Sequence, residues 1–138
     1  MKKHVGFTLV ELMVVVSIVG ILSAVGIPSY IDYLVRSRIP DATSNLAAKR
    51  VQMEQFYQDN RTYAGANAIC PDTAVSQYFD FACTGASATA YTLTATGKGS
   101  MAGFVYTIDQ SNAKATTAVP SGWTTNATCW VTAKGGTC

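Results

Sequence analysis

One carboxylate interrupts a long apolar segment near the start of this chain of 138 residues. Glu11 lies in the run FTLVELMVVVSIVGILSAVG, and about twenty residues from Leu12 to Ile31 carry no charge. At about 1.5 Å per residue, such a helix crosses a hydrocarbon core of about 30 Å. An acidic side chain at the centre of a membrane helix costs about 2.5 kcal/mol or more. The segment therefore predicts a membrane-spanning helix in which Glu11 has a function.

The charge of the chain is small and concentrated at one end. The formal net charge is +2, and Lys2 and Lys3 account for all of it. This balance argues against a strongly basic nucleic-acid-binding protein. Positive residues before an apolar span favour the cytoplasmic side, so we expect the residues after Tyr30 to lie outside the cytoplasm. A cleavable secretory signal would have a shorter apolar core.

Four cysteines, Cys70, Cys83, Cys129 and Cys138, follow the apolar segment, and none forms a CxxC pair. The only histidine is His4, so a Cys/His metal site is not expected. An even number of cysteines in a small exported domain favours disulfides. Three pairings are open. Cys70–Cys83 and Cys129–Cys138 are the most economical, because each closes a short loop, and four buried free thiols are the remaining alternative.

Beyond Pro28 the pattern predicts an amphipathic helix that continues to about residue 58 and packs on a sheet. Its apolar positions follow helical spacing: Val35, Ile39, Ala42, Leu46, Met53 and Tyr57. Residues 61–88 show no clear periodicity and are interpreted as a long loop. Alternating residues then predict strands at Tyr91–Ala95 and Phe104–Ile108, and Lys114–Ala118 and Cys129–Thr132 are the further strand candidates.

The sequence shows no constellation typical of an enzyme. Because His4 is the only histidine, Ser–His and Cys–His nucleophile pairs are not expected in the rest of the chain. There is no Walker-type phosphate loop, and the acidic residues are too dispersed to predict a calcium loop. We therefore expect no catalysis, no metal and no soluble cofactor.

The residues KKHVGFTLVEL, from Lys2 to Leu12, resemble the class III leader of type IV prepilins in its G-F-T-L-x-E form. The likeness extends through the hydrophobic helix to Pro28. It implies that a membrane aspartyl protease cuts between Gly6 and Phe7 and methylates the amine of Phe7. Glycine suits that position because a side chain would obstruct close binding of the backbone.

Glu11 matches the glutamate at the fifth position of mature type IV pilins. The resemblance implies that its carboxylate pairs with the amine of Phe7 on an adjacent subunit and sets the axial register of the filament. The alternative is that Glu11 extends to the lipid headgroups near the cytoplasmic face.

Glycine and proline punctuate the long helix. Gly20, Gly26 and Pro28 define a segment in which helix stability is reduced, and Pro40 is a second such point. The resemblance to pilin filaments implies that the helix could unwind there when subunits pack. Ordinary membrane-helix composition, in which glycine and proline are common, is the alternative.

The resemblance implies an α+β fold: a long N-terminal helix packed on a small antiparallel sheet. It divides the chain into a cleaved leader at 1–6, a transmembrane and filament-core helix at 7–31, and a globular domain at 32–138. The implied function is a structural subunit of a type IV pilus, held in the inner membrane before assembly and extracellular afterwards. Its implied partners are other pilin subunits, the prepilin peptidase and the pilus assembly machinery.

A DNA-binding pilin and a pseudopilin of type II secretion are the alternatives within this class. Lys98, Lys114 and Lys134 lie in a part of the chain that also contains Trp123 and Trp130, and lysines with exposed aromatics suit phosphate contact and base stacking. The tryptophans could instead pack the core. The C-terminal cysteine pair resembles minor pilins somewhat more than major ones, and the role of the filament (adhesion, twitching or DNA uptake) stays open.

Overall fold

The computed structural model describes residues 6–66, 69, 72 and 74–138. Its elements are the helix α1 (Leu9–Asn60) and four strands, β1 (Phe79–Thr84), β2 (Thr92–Gly97), β3 (Val105–Asp109) and β4 (Lys114–Ala118). The strands form one antiparallel sheet in the order β1-β2-β3-β4. The α+β class predicted from the sequence is therefore confirmed. The chain divides into two compact units, Met1–Leu34 and Val35–Cys138.

A capping box begins α1. The Thr8 Oγ1 accepts a hydrogen bond from the Glu11 N–H at 3.2 Å, and Glu11 Oε2 accepts one from the Thr8 N–H at 3.4 Å. This reciprocal arrangement satisfies donors that the first turn of a helix otherwise leaves free. The sequence T-L-V-E thus fixes where the helix starts.

Helix α1 is continuous through every glycine and proline predicted to weaken it: Gly20, Gly26, Pro28 and Pro40. Each proline still removes one backbone donor from the helix, because proline has no N–H. Unwinding at these points in a filament stays a prediction.

The second part of α1 contributes one buried stripe to the core of the unit Val35–Cys138. Its buried residues are Ile39, Ala42, Leu46, Lys49 and Met53, at alternating spacings of three and four. The apolar positions expected from the sequence are confirmed, with Lys49 as an unexpected member. The helix ends where Arg61 adopts a left-handed φ of 58° and its N–H donates to the Tyr57 carbonyl at 2.7 Å.

The sheet packs its inner face against this stripe. Alternate residues of the first three strands point inward and are buried: Phe79, Phe81, Leu93, Ala95, Tyr106 and Ile108. The register pairs Phe81 with Ala95 and Ala95 with Tyr106. A bulge at Val105/Tyr106 shifts the pairing with β4.

Two expectations about strands are wrong. The segment 61–88, interpreted as a loop, contains β1. Its start is fixed by distant partners, because Ser76 donates to the Asp41 carboxylate on α1 and accepts from the Tyr78 and Phe79 N–H groups at 2.9 and 3.0 Å. The alternation of Phe79 and Phe81 is short, and the contact with Asp41 spans 35 positions, so a local pattern does not reveal it.

The second error concerns Cys129–Thr132, which is not a strand. Its polar groups bind the sheet through side chains: Trp130 Nε1 donates to the Thr107 carbonyl at 2.8 Å, and the Val131 N–H donates to Thr116 Oγ1 at 2.9 Å. These bonds replace the ladder that a fourth predicted strand would need. The predictions for β2 and β3 are displaced by one or two residues, and the bounds of β4 are as predicted.

Candidate assembly site

The predicted processing and assembly residues lie together at the start of α1. Gly6 and Phe7 precede the helix, both are exposed, and the Phe7 side chain is 87% exposed. No atom lies within 4 Å of the place where a Cβ on Gly6 would stand. Glu11, four residues after Phe7, is also exposed and has Thr8 as its hydrogen-bond partner. A peptide bond before the helix and a carboxylate in its first turn are thus both accessible.

The apolar part of α1 is unburied. One helix among the described residues is long and apolar enough to cross a membrane, and none of its most apolar window is buried. Two hydroxyls within this segment are bound internally: Ser17 Oγ donates to the Met13 carbonyl at 2.8 Å, and Ser29 Oγ donates to the Val25 carbonyl at 3.2 Å. The helix therefore presents an almost purely apolar surface.

The structure joins Cys129 to Cys138, with 6.1 Å between their Cα atoms, which confirms this predicted disulfide. An antiparallel bridge between Ala133 and Thr137 narrows the enclosed loop. Cys83 is also disulfide-bonded. Cys70, its predicted partner, lies outside the described residues, so that pairing stays a prediction.

Of the three lysines that suggested DNA binding, the structure places Lys98 and Lys114 at opposite ends of the sheet. Lys98 follows the end of β2, and its Nζ lies 2.6 Å from Asp80 Oδ1. Lys114 begins β4 and pairs with Ile108, at the opposite end of the sheet. Lys134 is exposed within the C-terminal disulfide loop. Lys98 and Lys114 therefore do not lie side by side on the sheet.

Both tryptophans contribute to packing. Trp123 meets Phe104 edge to face, with ring centroids 4.9 Å apart. Trp130 has the Lys114 Nζ 4.6 Å from its ring centroid, which is a cation–π arrangement. One face of Trp130 is thus already occupied, and the interpretation of the tryptophans as core residues is favoured.

A cationic group that the sequence analysis missed lies near Lys98. The Arg38 guanidinium carbon is 4.7 Å from the centroid of the Tyr78 ring, and Arg38 Nη1 donates to Ser100 Oγ at 2.6 Å. The Lys98 N–H in turn donates to the Tyr78 carbonyl at 2.8 Å. Because Arg38 and Lys98 are 60 positions apart in the sequence, only the fold reveals this pair.

A carboxylate on α1 binds two tyrosines. Glu54 Oε1 accepts hydrogen bonds from the phenols of Tyr63 at 3.2 Å and Tyr91 at 3.3 Å. Burial and the Glu54 charge both raise the pKa values of these phenols. The rings of Tyr63 and Tyr91 also pack edge to face, at 4.6 Å. These contacts connect the last part of α1 to Tyr91, the residue that precedes β2.

A second ion pair connects α1 to the segment before β1. Lys49 Nζ lies 3.5 Å from Asp72 Oδ2, and it also lies 5.6 Å from the centroid of the Phe81 ring. Hydrogen bonds from the backbone N–H of Ala74, then of Val75, and the Lys49 charge lower the pKa of Asp72 against the opposing effect of desolvation. The described residues hold no group of three or more His, Cys, Asp or Glu side chains that could bind a metal ion.

Two protein-family models match the chain. Residues 1–27 match the "Prokaryotic N-terminal methylation motif". Residues 28–105, more than half of the chain, match the model described as "Type IV minor pilin ComP, DNA uptake sequence receptor". The chain belongs to the type IV pilin family. The resemblance inferred from the leader residues is confirmed.

The chain is similar to a fimbrial protein and to a major pilin. It is 34% identical over 95 residues to the fimbrial protein EcpC of Eikenella corrodens, which covers 67% of this chain and 62% of EcpC. It is 42% identical over 68 residues to the type IV major pilin protein PilA of Myxococcus xanthus, which covers 49% of this chain and 31% of PilA. The chain thus spans less than two thirds of the length of either relative.

A solved structure shares the fold. The crystal structure of the non-core minor pilin PilV of Neisseria meningitidis superposes with a TM-score of 0.56 and 18% identity. The match covers 65% of this pilin and 93% of that chain. At this identity the likeness supports the fold alone.

Proposed function

We propose that this pilin is a structural subunit of a type IV pilus. The observation that carries the proposal is the fully exposed apolar part of α1, which ends in a helix start with an accessible carboxylate. Exposed apolar surface of this extent needs a lipid or protein environment. The membrane supplies it before assembly, and the helices of neighbouring subunits supply it in the filament.

Cleavage between Gly6 and Phe7 and methylation of the new amine prepare the subunit. The new amine of Phe7 lies four residues before Glu11 of the same chain. A pairing within one subunit could not set the spacing between two subunits. Pairing of Glu11 with the amine of Phe7 on a neighbour would instead fix their relative axial position. The prepilin peptidase, the assembly machinery and sister pilins are the partners this requires. The N-terminus lies on the cytoplasmic side of the inner membrane.

Mass spectrometry tests the processing step. The full chain is co-expressed with a prepilin peptidase, and the expected product begins at Phe7 and carries one methyl group. In the control variant Gly6→Val the chain is expected to keep its leader, because a side chain obstructs the peptidase. A product that begins anywhere else would contradict the proposal.

A second candidate function is DNA binding, favoured by the family model over residues 28–105. We propose that DNA contacts Arg38 and Lys98, because both lie within the matched residues and both contact Tyr78, Arg38 through its guanidinium and Lys98 through its backbone N–H. Lys114 and Lys134 fall outside the match. Lys98 Nζ is paired with Asp80 Oδ1, so phosphate binding would compete with that ion pair.

Duplex DNA binding as a function of salt tests this second candidate. The full chain is expected to lose affinity as salt rises, and the Arg38→Gln variant is expected to bind more weakly with a reduced salt slope. Lys114→Gln is the matched control at the other end of the sheet and should bind as the unchanged chain does. Equal binding by all three, or none at low salt, would contradict the assignment.

A further inference from the structure

The tyrosines of this pilin divide into two groups. Five of the seven are engaged within the unit Val35–Cys138. Tyr63, Tyr78 and Tyr91 have the partners already described. The Tyr57 ring packs on that of Tyr63 with 4.6 Å between centroids, and the Tyr106 hydroxyl donates to the Val131 carbonyl at 3.0 Å. Tyr30 and Tyr33 lie in the other unit and are 62% and 67% exposed. Among the described residues, neither of these two hydroxyls has a hydrogen-bond partner.

Tyr30 and Tyr33 occupy a defined place on the helix. Residues three apart on an α-helix share a face, so the two rings project from the same side of α1. They flank Asp32, the first charged residue after the uncharged run. From Leu12, a rise of about 1.5 Å per residue places both rings about 30 Å along the axis, where a hydrocarbon core ends.

We propose that Tyr30 and Tyr33 form an interfacial anchor that binds phospholipid headgroups at the C-terminal end of the span. The inference rests on the proposed function, because it concerns the membrane-held subunit before assembly. Phenol rings have an apolar body and a polar tip, which is why tyrosine is enriched where hydrocarbon meets water. The free hydroxyls here can donate to lipid phosphate and ester oxygens.

The contrast with the serines of the same helix supports a lipid partner. Ser17 and Ser29 satisfy their hydroxyls with carbonyls of their own helix, as a segment surrounded by hydrocarbon requires. Tyr30 lies next to Ser29, and its hydroxyl is left for an outside acceptor. This contrast between Ser29 and Tyr30 falls at the end of the uncharged run. The anchor would thereby fix the depth at which the assembly machinery meets each subunit.

Depth-dependent fluorescence quenching tests the anchor. The full chain is reconstituted in phosphatidylethanolamine–phosphatidylglycerol vesicles whose lipids carry bromine either near the headgroup or near the chain end. The variants Y30W and Y33W report on the proposed anchor, V19W on the middle of the span, and Y57W on the globular unit. The unchanged chain, which contains Trp123 and Trp130, supplies the background to subtract.

The expected result is strongest quenching of Y30W and Y33W by headgroup-proximal bromine and of V19W by chain-end bromine, with little quenching of Y57W. Quenching of Y30W and Y33W that matches Y57W or V19W would overturn the anchor alone. Absence of quenching in V19W would overturn the membrane state of the proposed function, and the anchor with it.

A double variant separates lipid from protein as the partner of these tyrosines. In the V19W background, Y30L with Y33L removes both polar tips and keeps apolar side chains, so quenching of the reporter is expected to shift. The pair Y30F and Y33F, which keeps the rings, should shift it less. Unchanged depth combined with a loss of pilus yield would show that Tyr30 and Tyr33 contact neighbouring subunits, which would overturn the proposal.

Discussion

The ammonium of Lys49 lies 3.5 Å from the carboxylate of Asp72, although the Lys49 side chain is only 9% exposed. A buried charge of this kind is tolerated because it has a counter-charge and a hydrogen-bond acceptor, here the Ile69 carbonyl at 3.5 Å. The pair connects the core stripe of α1 to the segment that leads into β1.

The two partners of this ion pair are expected to differ in their effect on stability. Asp72→Asn leaves the buried ammonium without its counter-charge, whereas Lys49→Met removes the charge and keeps the apolar stem. We therefore expect Asp72→Asn to lower the melting temperature more than Lys49→Met does. The half-exposed pair Lys98–Asp80 is the control, and Lys98→Met should change stability by less than about 1 kcal/mol. Equal losses at both pairs would contradict this account.

Stability is expected to fall in acid. The pKa of Asp72 is lowered chiefly by the hydrogen bond from Ala74; that of Asp109 is lowered by bonds from Ser111 and Ala113, which outweigh the opposing effect of burial. Folded carboxyls with depressed pKa values contribute stability that is present above the ordinary value of 3.8 and lost as the pH falls through the folded value. Urea unfolding between about pH 6 and pH 2 measures this loss. The variant Asp109→Asn should show a smaller fall in the free energy of unfolding between about pH 6 and pH 2. An unchanged fall would contradict the contribution of Asp109 to acid sensitivity.

Gly97 is expected to tolerate no side chain. A Cβ there would lie 1.9 Å from the Met101 carbonyl oxygen and 3.1 Å from that of Phe104, both of them backbone atoms. Gly97→Ala should therefore displace the turn between β2 and β3 and cost roughly 2 kcal/mol or more in the free energy of unfolding. Gly135→Ala is the control, because its φ of 84° costs only about 1 kcal/mol and no atom lies within 4 Å of its Cβ position. Chemical denaturation of both variants checks the difference.

Opening the C-terminal loop is expected to destabilise the globular unit without changing the helix. Cys129 and Cys138 are nine positions apart, and a loop of this length corresponds to roughly 2–3 kcal/mol. The double variant Cys129→Ser with Cys138→Ser should show that loss in denaturant titrations. Far-ultraviolet circular dichroism at low denaturant should stay close to that of the unchanged chain. A loss of helical signal under those conditions would show that the loop supports more than its own surroundings.

The charge of Glu11 can be separated from its role in the helix start. Glu11→Gln keeps an oxygen that can accept from the Thr8 N–H, so the capping box is retained while the charge is removed. We expect leader cleavage to continue and incorporation into pili to be lost in both Glu11→Gln and Glu11→Ala. Pilus yield measured by shearing and immunoblotting checks this outcome. Normal assembly of Glu11→Gln would show that capping, and not pairing with a neighbouring amine, is what the filament needs.

The elements of the fold that follow from the spacing of neighbouring residues could be predicted from the sequence. The stripe from Ile39 to Met53 was predictable because a helix repeats every 3.6 residues, and β2 and β3 because their residues alternate. By contrast, β1 depends on Ser76 contacting Asp41, 35 positions earlier, and a window of ten residues contains no trace of that contact. The segment around Trp130 is similar: its residues resemble a strand, but it is held to the sheet by the hydrogen bond from the Trp130 indole to Thr107 and not by a strand ladder.

The candidate site divides in the same way. Gly6, Phe7 and Glu11 form one contiguous motif, so the sequence sufficed to select them. The pairing of Arg38 with Tyr78 depends on how β1 lies against α1, and no spacing in the sequence reveals it. Lys98, Lys114 and Lys134 were grouped by composition, and the register of the sheet puts the first two at opposite ends.

The internal hydrogen bonds of Ser17 and Ser29 have an energetic consequence for transport of the subunit. With these two hydroxyls satisfied, the surface of the span between Leu12 and Ser29 is mostly hydrocarbon, and lipid tails and the apolar side chains of another helix are nearly equivalent solvents for it. Transfer between the two then changes the free energy of most of the span very little. The free-energy barrier to moving the subunit is then concentrated in the few polar groups that must exchange partners. The assembly machinery acts against those groups and not against the whole apolar surface.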